Sequence, residues 1–276
     1  YSQSSMQKQL CTLQKTSCII KNNKMQNRRT NSMQNIRLTL QYDGTRYLGW
    51  SRPEKNGQHK SVSYKITEIL KKLTGEDIVL FGGAKTDPGV HALAQTASFR
   101  TASGHSPGHF REVLNEYLPR DIAILAAVSM PERFRADLNA VSRTYECRIC
   151  TAPVYDIFTA GYQTHIFPAP DVEAMKQAAD FLTGKHDFRA FTPVKKKKGT
   201  VRNLCAISFR QTKELLTIRI TADDFLCQMP AVIAGTLLET GRGLRAPESI
   251  QDIFTGTEKA GAPLDAKGLL LQDIQY

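Results

Sequence analysis

The sequence lacks any apolar run that is long enough to cross a membrane. Its longest apolar runs, such as residues 122–128, fall far short of the roughly 18 residues that a membrane-spanning helix needs. Cysteine is also sparse, with 6 in 276 residues, and a chain of this length builds a core without disulfide bonds. These absences exclude a helical membrane protein and a small disulfide-rich scaffold.

Acidic residues are missing from the first 32 positions, which are rich in Gln, Asn, Ser and Lys instead. This composition predicts a disordered, basic N-terminal extension over residues 1–32. The segment has no continuous apolar stretch of the kind that marks a secretory signal, although an acid-free leader that contains Ser is also typical of organelle transit peptides. We therefore expect a cytoplasmic protein, with a transit peptide as the open alternative.

Positive charge dominates the chain, with 37 Lys and Arg against 26 Asp and Glu and a net charge of +11. A basic globular body suits a polyanionic partner such as a nucleic acid. Cys147 and Cys150 have the spacing of a metal-binding pair, but residues three apart on a strand point to opposite faces. No second pair of Cys or His accompanies them, so we expect no metal.

Apolar side chains recur from residue 33 onward with the periods of strands and helices. Residues 36–42 alternate between apolar and polar, which predicts a half-buried strand. Residues 62–73 carry apolar side chains on one helical face, with Ser61 as a cap at the start and Gly75 at the end. The run 78–81 predicts a short strand, and Asp171 is a suitable cap for a helix over residues 172–182.

The order of the predicted elements is the same in the two halves of the chain. Strand, helix, strand, strand, helix and strand follow one another before residue 130, and a similar series follows after residue 141. This repeated order of elements predicts an α+β fold of two similar domains, residues 33–140 and 141–276. Each domain is expected to be an antiparallel or mixed sheet with helices on one face. The cleft between the two domains is the natural place for an active site.

The sharpest motif is Gly-Ala-Lys-Thr-Asp-Pro-Gly-Val-His-Ala over residues 83–92. By itself, Asp87 before Pro-Gly predicts only a tight turn. The motif nevertheless resembles the G-R-T-D-x-G-V-H-A signature of the tRNA pseudouridine synthase A family. Further segments resemble the same family in colinear order: 42–45, 49–50, 114–122, 143–145, 184–188, 200–202, 225–229, 235–238, 262–263 and 268–269.

This resemblance implies an activity and its residues. Enzymes of the family isomerise uridine to pseudouridine at positions 38 to 40 of the tRNA anticodon stem-loop, without metal or cofactor, as homodimers with a positively charged active-site cleft. It implies that Asp87 is the catalytic nucleophile and that Tyr145 stacks on the target base. From the residues alone, a core aromatic of a strand is the favoured interpretation of Tyr145.

Basic residues are the candidate contacts to substrate and RNA. Lys85 and Arg143 lie in the matching segments and are predicted to bind substrate, and the lysine run with Arg202 is predicted to bind phosphates. That run consists of Lys195, Lys196, Lys197 and Lys198.

Two positions depart from the family pattern. Lys85 stands where the family has an Arg. The guanidinium group of Arg is a planar fork of donors, whereas the ammonium group of Lys is a point charge. Ala231 stands where the family has an Arg near the nucleophile. An active tRNA pseudouridine synthase is therefore weighed against a catalytically impaired paralogue that binds tRNA. A plain RNA-recognition module is the third possibility, but the exposed aromatic pair expected on its central strand is not found.

Overall fold

The computed structural model describes residues 33–51, 53, 57–195 and 198–276. Within these residues the chain forms a ten-stranded sheet and five α-helices. The predicted N-terminal extension, residues 1–32, lies outside the described residues, as do Lys196 and Lys197.

The predicted strands and helices occur in the predicted order, and the structure adds two short strands that were not predicted, Thr164–His165 and Gly184–Asp187. The strands are β1 (Gln34–Tyr42), β2 (Phe81–Gly82), β3 (His91–Thr101), β4 (Ile122–Met130), β5 (Ser142–Cys150), β6 (Thr164–His165), β7 (Gly184–Asp187), β8 (Val201–Gln211), β9 (Leu215–Ala222) and β10 (Leu269–Gln275). The α-helices are α1 (Val62–Thr74), α2 (Pro107–Tyr117), α3 (Val172–Leu182), α4 (Met229–Gly241) and α5 (Ser249–Thr255). None of the helices in the described part of the chain has the length and apolar character that a bilayer crossing needs.

The α+β class predicted from the sequence is confirmed, and the last strand joins the two halves into one sheet. The strand order is β4-β1-β3-β10-β5-β9-β8-β7, with β2 on β3 and β6 on β5. β10 runs parallel to β3 of the first half and antiparallel to β5 of the second half. The division into domains at 33–140 and 141–276 stays a prediction.

One row of side chains crosses the sheet at this junction. Tyr42 is opposite Ala92, Ala92 is opposite Leu271, and Leu271 is opposite Tyr145. Directly opposed residues point to the same face of a sheet, and all four side chains are buried. Tyr145 therefore belongs to a continuous apolar face that extends from the first half into the second.

The helix ends show which local signals decided the structure. Gly75 ends α1 in the left-handed conformation, and the Asp171 carboxylate accepts the N–H groups of Glu173 and Ala174, both as predicted. Ser61 makes no side-chain cap on α1. Its hydroxyl donates instead to the Gln58 carbonyl at 2.7 Å, because a 3-10 turn precedes the helix.

The strand predicted over residues 78–81 is shorter in the structure and begins further along the chain, at Phe81. Only Phe81 and Gly82 pair, opposite Ser98 and Ala97 of β3. Ile78 is buried without pairing. An apolar run predicts burial, whereas pairing also needs a neighbouring strand within reach.

Candidate active site

The loop between β2 and β3 presents Asp87 at the first residue of a tight turn. The Val90 N–H donates to the Asp87 carbonyl at 3.2 Å, which closes the turn. Pro88 and Gly89 occupy its central positions, and Gly89 has a φ of +78°. A proline followed by a glycine with positive φ is typical of a type II turn, so the turn predicted from the motif is confirmed.

A segment that follows β1 holds this loop in place. The Trp50 N–H donates to the Thr86 carbonyl at 3.1 Å, and the Gly89 N–H donates to the Tyr47 carbonyl at 3.2 Å. Gly49 has a φ of +89°, and a Cβ atom there would lie 2.3 Å from the Thr86 carbonyl oxygen. Only glycine permits this approach, so two motifs that are distant in the sequence form one unit around Asp87.

A cavity of about 410 Å³ opens beside Asp87. It lies where the β2–β3 loop meets β5 and the segment between β9 and α4, and its size is typical of small-molecule pockets. The structure thus brings five of the predicted site residues together and adds others. The cavity lining includes Lys85, Asp87, Arg143, Tyr145, Arg202, Asp224 and Cys227.

Tyr145 forms a buried aromatic wall of this cavity. Its side chain is 5% exposed, and its ring meets the ring of Phe225 edge to face at a centroid distance of 5.1 Å. Burial, with smaller contributions from Tyr42 and Asp87, raises the pKa of Tyr145 well above its usual value. The phenol is therefore neutral at physiological pH.

The two arginines of the cavity are engaged by the protein itself. The Arg143 Nε donates to the Gly83 carbonyl at 2.8 Å and lies 3.5 Å from one carboxylate oxygen of Asp224. Arg202 donates to the Val201 carbonyl at 2.8 Å and lies 3.4 Å from the other oxygen of Asp224. Asp224, which the sequence analysis did not single out, thus ties both predicted arginines together.

Lys195, the first residue of the lysine run, directly follows a residue that lines the same cavity. Val194 lines the cavity, and the neighbouring Lys195 is exposed, as is Lys198 beyond the undescribed pair. Lys85 is exposed as well. Three basic side chains, those of Lys85, Arg143 and Arg202, line the cavity beside Asp87.

The carboxylate of Asp87 accepts a hydrogen bond on each oxygen. The Gln228 backbone N–H donates to Oδ2 at 2.8 Å, and the Cys227 thiol donates to Oδ1 at 3.2 Å. Pro230 lines the cavity, whereas Ala231 packs in the hydrophobic core and is 7% exposed. Sequence reasoning missed both donors because neither a thiol nor a backbone amide leaves a charge pattern.

A second cavity of about 240 Å³ lies on the opposite face of the sheet. It is lined by Leu270 and His91, which are opposite each other on β10 and β3, and Leu270 points away from the face that carries Leu271. The His91 Nδ1 accepts the Gly44 N–H at 3.1 Å. This histidine therefore supports the turn after β1.

The described residues contain no cluster suited to a metal ion. In these parts of the chain no three His, Cys, Asp or Glu side chains are grouped as ligands. Cys147 and Cys150 are both buried in β5.

Comparisons with known proteins identify the family of this chain. Residues 178–276 match a family model described as tRNA pseudouridine synthase. The chain is 36% identical over 249 residues to tRNA pseudouridine synthase A 2 of Clostridium tetani, covering 88% of this chain and 98% of that protein. It is 38% identical over 247 residues to tRNA pseudouridine synthase A of Caldicellulosiruptor bescii, covering 88% and 100%.

A solved structure titled "Crystal Structure of a Cbf5-Nop10-Gar1 Complex" also matches, at 12% identity and a TM-score of 0.32, over 86% of this chain and 48% of that chain. The curated relatives decide the assignment, because the identity to them extends over nearly their whole length. The class that they define is that of pseudouridine synthases, which are isomerases. Within this class, the chain belongs to the tRNA pseudouridine synthase A family.

Proposed function

We propose that this protein isomerises uridine to pseudouridine at positions 38 to 40 of the tRNA anticodon stem-loop, with Asp87 as the nucleophile and Tyr145 as the surface that holds the target base. One observation supports these roles above the others. The carboxylate of Asp87 and the ring of Tyr145 line the same cavity, although they come from different halves of the chain.

The reaction needs a carboxylate and an enclosed space. The N1–C1′ bond of the uridine breaks, the uracil turns, and a C5–C1′ bond forms, while C5 loses a proton and N1 gains one. A carboxylate can attack or stabilise the sugar carbon and later leave it. Asp87 accepts two hydrogen bonds from the chain, and these hold the group in one orientation towards a substrate in the cavity.

The target nucleotide must leave its helical stack before Asp87 can reach it. An aromatic side chain can hold an extruded base, and Tyr145 offers a neutral ring in the cavity wall. Lys85 and the lysine run around the opening supply positive charge for the flanking phosphates. These features favour a base held inside the cavity and a backbone held at its rim.

The first test is the conversion of Asp87 to Asn. We expect pseudouridine formation to fall by about a thousandfold or more, because an amide cannot replace the carboxylate as nucleophile. The affinity for tRNA should remain within about threefold, since the cavity keeps its shape and its cations. Mass-spectrometric mapping of pseudouridine in a tRNA transcript measures the first quantity, and filter binding measures the second.

The same assay tests the position of the target. Three transcripts that carry a single anticodon-arm uridine at position 38, 39 or 40 should each be converted, whereas a transcript without these uridines should not. Conversion only at uridines outside the anticodon arm would contradict the proposed substrate. Turnover of Asp87→Asn within about tenfold of the wild type would contradict the proposed nucleophile.

A second candidate function is tRNA binding without catalysis. The observation that favours it is the absence, among the described residues, of an ion pair between Asp87 and any basic side chain, since both arginines of the cavity pair with Asp224. This candidate predicts salt-sensitive tRNA binding and no pseudouridine in any of the three transcripts. The mapping experiment therefore separates the two functions directly.

We also propose that the protein is a homodimer in the cytoplasm, as the family resemblance implies. The connection between β5 and α3 supports a contact between subunits because it exposes large apolar side chains. Val154 is 82% exposed, Ile157 72% and Phe158 87%, and such a patch is typical of an interaction surface. Light scattering of the purified chain measures the mass that this proposal requires.

A further inference from the structure

The two hydrogen bonds that the Asp87 carboxylate accepts in the described part of the chain come from uncharged donors. One oxygen accepts the Gln228 N–H and the other accepts the Cys227 thiol. Among the described residues no Lys, Arg or His forms an ion pair with this carboxylate, because the nearby guanidinium groups are bound elsewhere. The orientation of Asp87 therefore depends on two uncharged donors from consecutive residues.

The backbone at these two residues has an unusual conformation. Gln228 has φ 58° and ψ 4°, and it is the single non-glycine residue with positive φ in the described part of the chain. Side chains disfavour this left-handed region, so the surrounding structure must hold Gln228 there. The conformation directs the Gln228 N–H to Asp87 at the amino end of α4, where the helix dipole also favours an anion.

The neighbouring helix explains why this geometry is rigid. Twelve of the thirteen residues of α4 are buried, and a Cβ atom on Gly235 would lie 1.7 Å from the Ala262 carbonyl oxygen. A helix packed this closely leaves its first turn little freedom. The segment before it, which carries Cys227, therefore meets the Asp87 loop at a fixed place.

We propose that Cys227 is a positioning residue for Asp87, whose thiol fixes Oδ1 while the Gln228 N–H fixes Oδ2. This inference rests on the proposed function, because it concerns the orientation of the nucleophile. With both donors present, the carboxylate cannot rotate about its Cβ–Cγ bond without losing a hydrogen bond. Without the thiol, one hydrogen bond remains and the plane of the carboxylate becomes free to turn.

Two substitutions at position 227 separate this role from packing. Cys227→Ala removes the donor and should lower the single-turnover rate about tenfold, with the affinity for tRNA unchanged, because misorientation of a reacting group affects the chemical step. Cys227→Ser keeps a hydroxyl donor of similar size and should restore the rate to within about threefold of the wild type. Cys205→Ala, at an exposed cysteine of β8, is the matched control and should have no effect.

Three outcomes of these rate and affinity measurements would overturn the proposal. A Cys227→Ala rate equal to the wild-type rate would show that the thiol does not orient Asp87. A Cys227→Ser rate as low as that of Cys227→Ala would show that the size or chemistry of sulfur, and not donation of a hydrogen bond, is required. A fall in tRNA affinity without a fall in rate would place Cys227 in RNA binding instead.

A second measurement tests the contact without turnover. Cys227 is exposed, so its alkylation by iodoacetamide can be followed against pH by mass spectrometry of the peptide that contains it. Asp87→Asn removes a negative charge beside the thiol, and the pH midpoint of alkylation should move down by about one unit. The other charged groups of the cavity are the same in both proteins: Lys85, Arg143, Arg202 and Asp224.

The two measurements together separate the inference from the proposed function. An unchanged alkylation midpoint in Asp87→Asn would overturn the contact between Cys227 and Asp87. A shifted midpoint in a chain that makes no pseudouridine would contradict the proposed function while the contact stands. A shifted midpoint with the expected order of rates supports both.

Discussion

The two halves of the chain bound the active-site cavity in different ways. In the first half, residues 33–140, a loop carries Asp87, and the backbone around Gly49 holds that loop by close approach. In the second half, residues 141–276, the cavity is bounded by side chains from a strand and from the segment before a buried helix. The proposed nucleophile and the two groups that donate hydrogen bonds to it therefore come from separate parts of the sequence.

The helices of the two halves differ in how far they are buried. α1 buries one face, which is formed by Val62, Ile66 and Leu70, as an amphipathic surface helix does. α4 is buried on all sides. A surface helix tolerates adjustment of its position, whereas a helix enclosed by the core transmits any displacement to the residues at its amino end. From this contrast we infer that the positions of the site residues depend on close backbone packing in the first half of the chain and on core packing in the second half.

Among the variants that test this comparison, Gly49→Ala in the first half of the chain should lower the rate the most. Gly49→Ala places a Cβ atom 2.3 Å from the Thr86 carbonyl oxygen at a φ of +89°, so the loop that carries Asp87 must shift. A displacement of about 1 Å in a reacting group costs about a hundredfold in rate. Single-turnover pseudouridine formation should fall by that order, with tRNA affinity little changed.

Gly75→Ala is the matched control for that variant. Gly75 also has positive φ, at +76°, but nothing lies within 4 Å of a Cβ atom there. This control should lose about 1 kcal/mol of stability from backbone strain and keep the wild-type rate. Equal rates in Gly49→Ala and Gly75→Ala would show that the close approach of Gly49 to the loop does not position Asp87.

An intermediate effect is expected at the lysine run of the second half. Replacement of Lys195, Lys196, Lys197 and Lys198 by Ser removes up to four phosphate contacts, so the slope of log affinity against log salt should become shallower by up to about 3. The rate at saturating tRNA should be unchanged, because these residues act at the rim. Binding measured across a range of salt concentrations checks this, and an unchanged slope would remove the loop from the RNA interface.

The smallest expected effect concerns the face of the sheet opposite Tyr145. Burial raises the pKa of Glu146, but hydrogen bonds from Arg219 and Arg148 lower it more, and the pKa lies below the usual value of 4.5. A lowered pKa in the folded state contributes stability that is present above about pH 4.5 and is lost as the pH falls through the folded-state value. Glu146→Gln should lower the melting temperature at pH 7 by about 2–4 °C, and the difference should narrow as the pH falls below 4.5.

Asp77→Asn provides the comparison for this variant. Its partner Lys71 also lowers the pKa of Asp77, but the Asp77 side chain is 90% exposed, and exposed ion pairs contribute little to stability. Its melting temperature should follow that of the wild type at every pH. A Glu146→Gln difference that persists unchanged to pH 3 would assign the effect to packing and not to charge.

Much of the secondary structure could be predicted because its signals are local. The alternation along β1 and the helical face of α1 are read from neighbouring residues, and the cap at Asp171 needs only the next few positions. The cap predicted at Ser61 was wrong because the preceding turn competes for its hydroxyl. The strand at 78–81 was misplaced because pairing depends on β3, not on the apolar run itself.

The candidate site was predictable in part. Asp87, Tyr145, Lys85 and Arg143 were chosen from motifs, and the structure places all four around one cavity. The engagement of Arg143 by the Gly83 carbonyl and by Asp224 was not foreseen, because a motif records the type of a residue and not the partner it finds. Ala231 was foreseen only as a missing charge, and the structure adds that the residue packs in the core.

The sequence by itself determined the elements of the fold, the turn that presents Asp87 and the family to which the chain belongs, since periodicity, turn chemistry and motifs are properties of short stretches. Only the tertiary structure decided that β10 joins both halves into one sheet and that Cys227 and Gln228 hold Asp87. These contacts join residues 140 and 141 positions apart. Their donors are a thiol and a backbone amide, which carry no pattern along the chain, so their meeting depends on how the sheet and α4 pack.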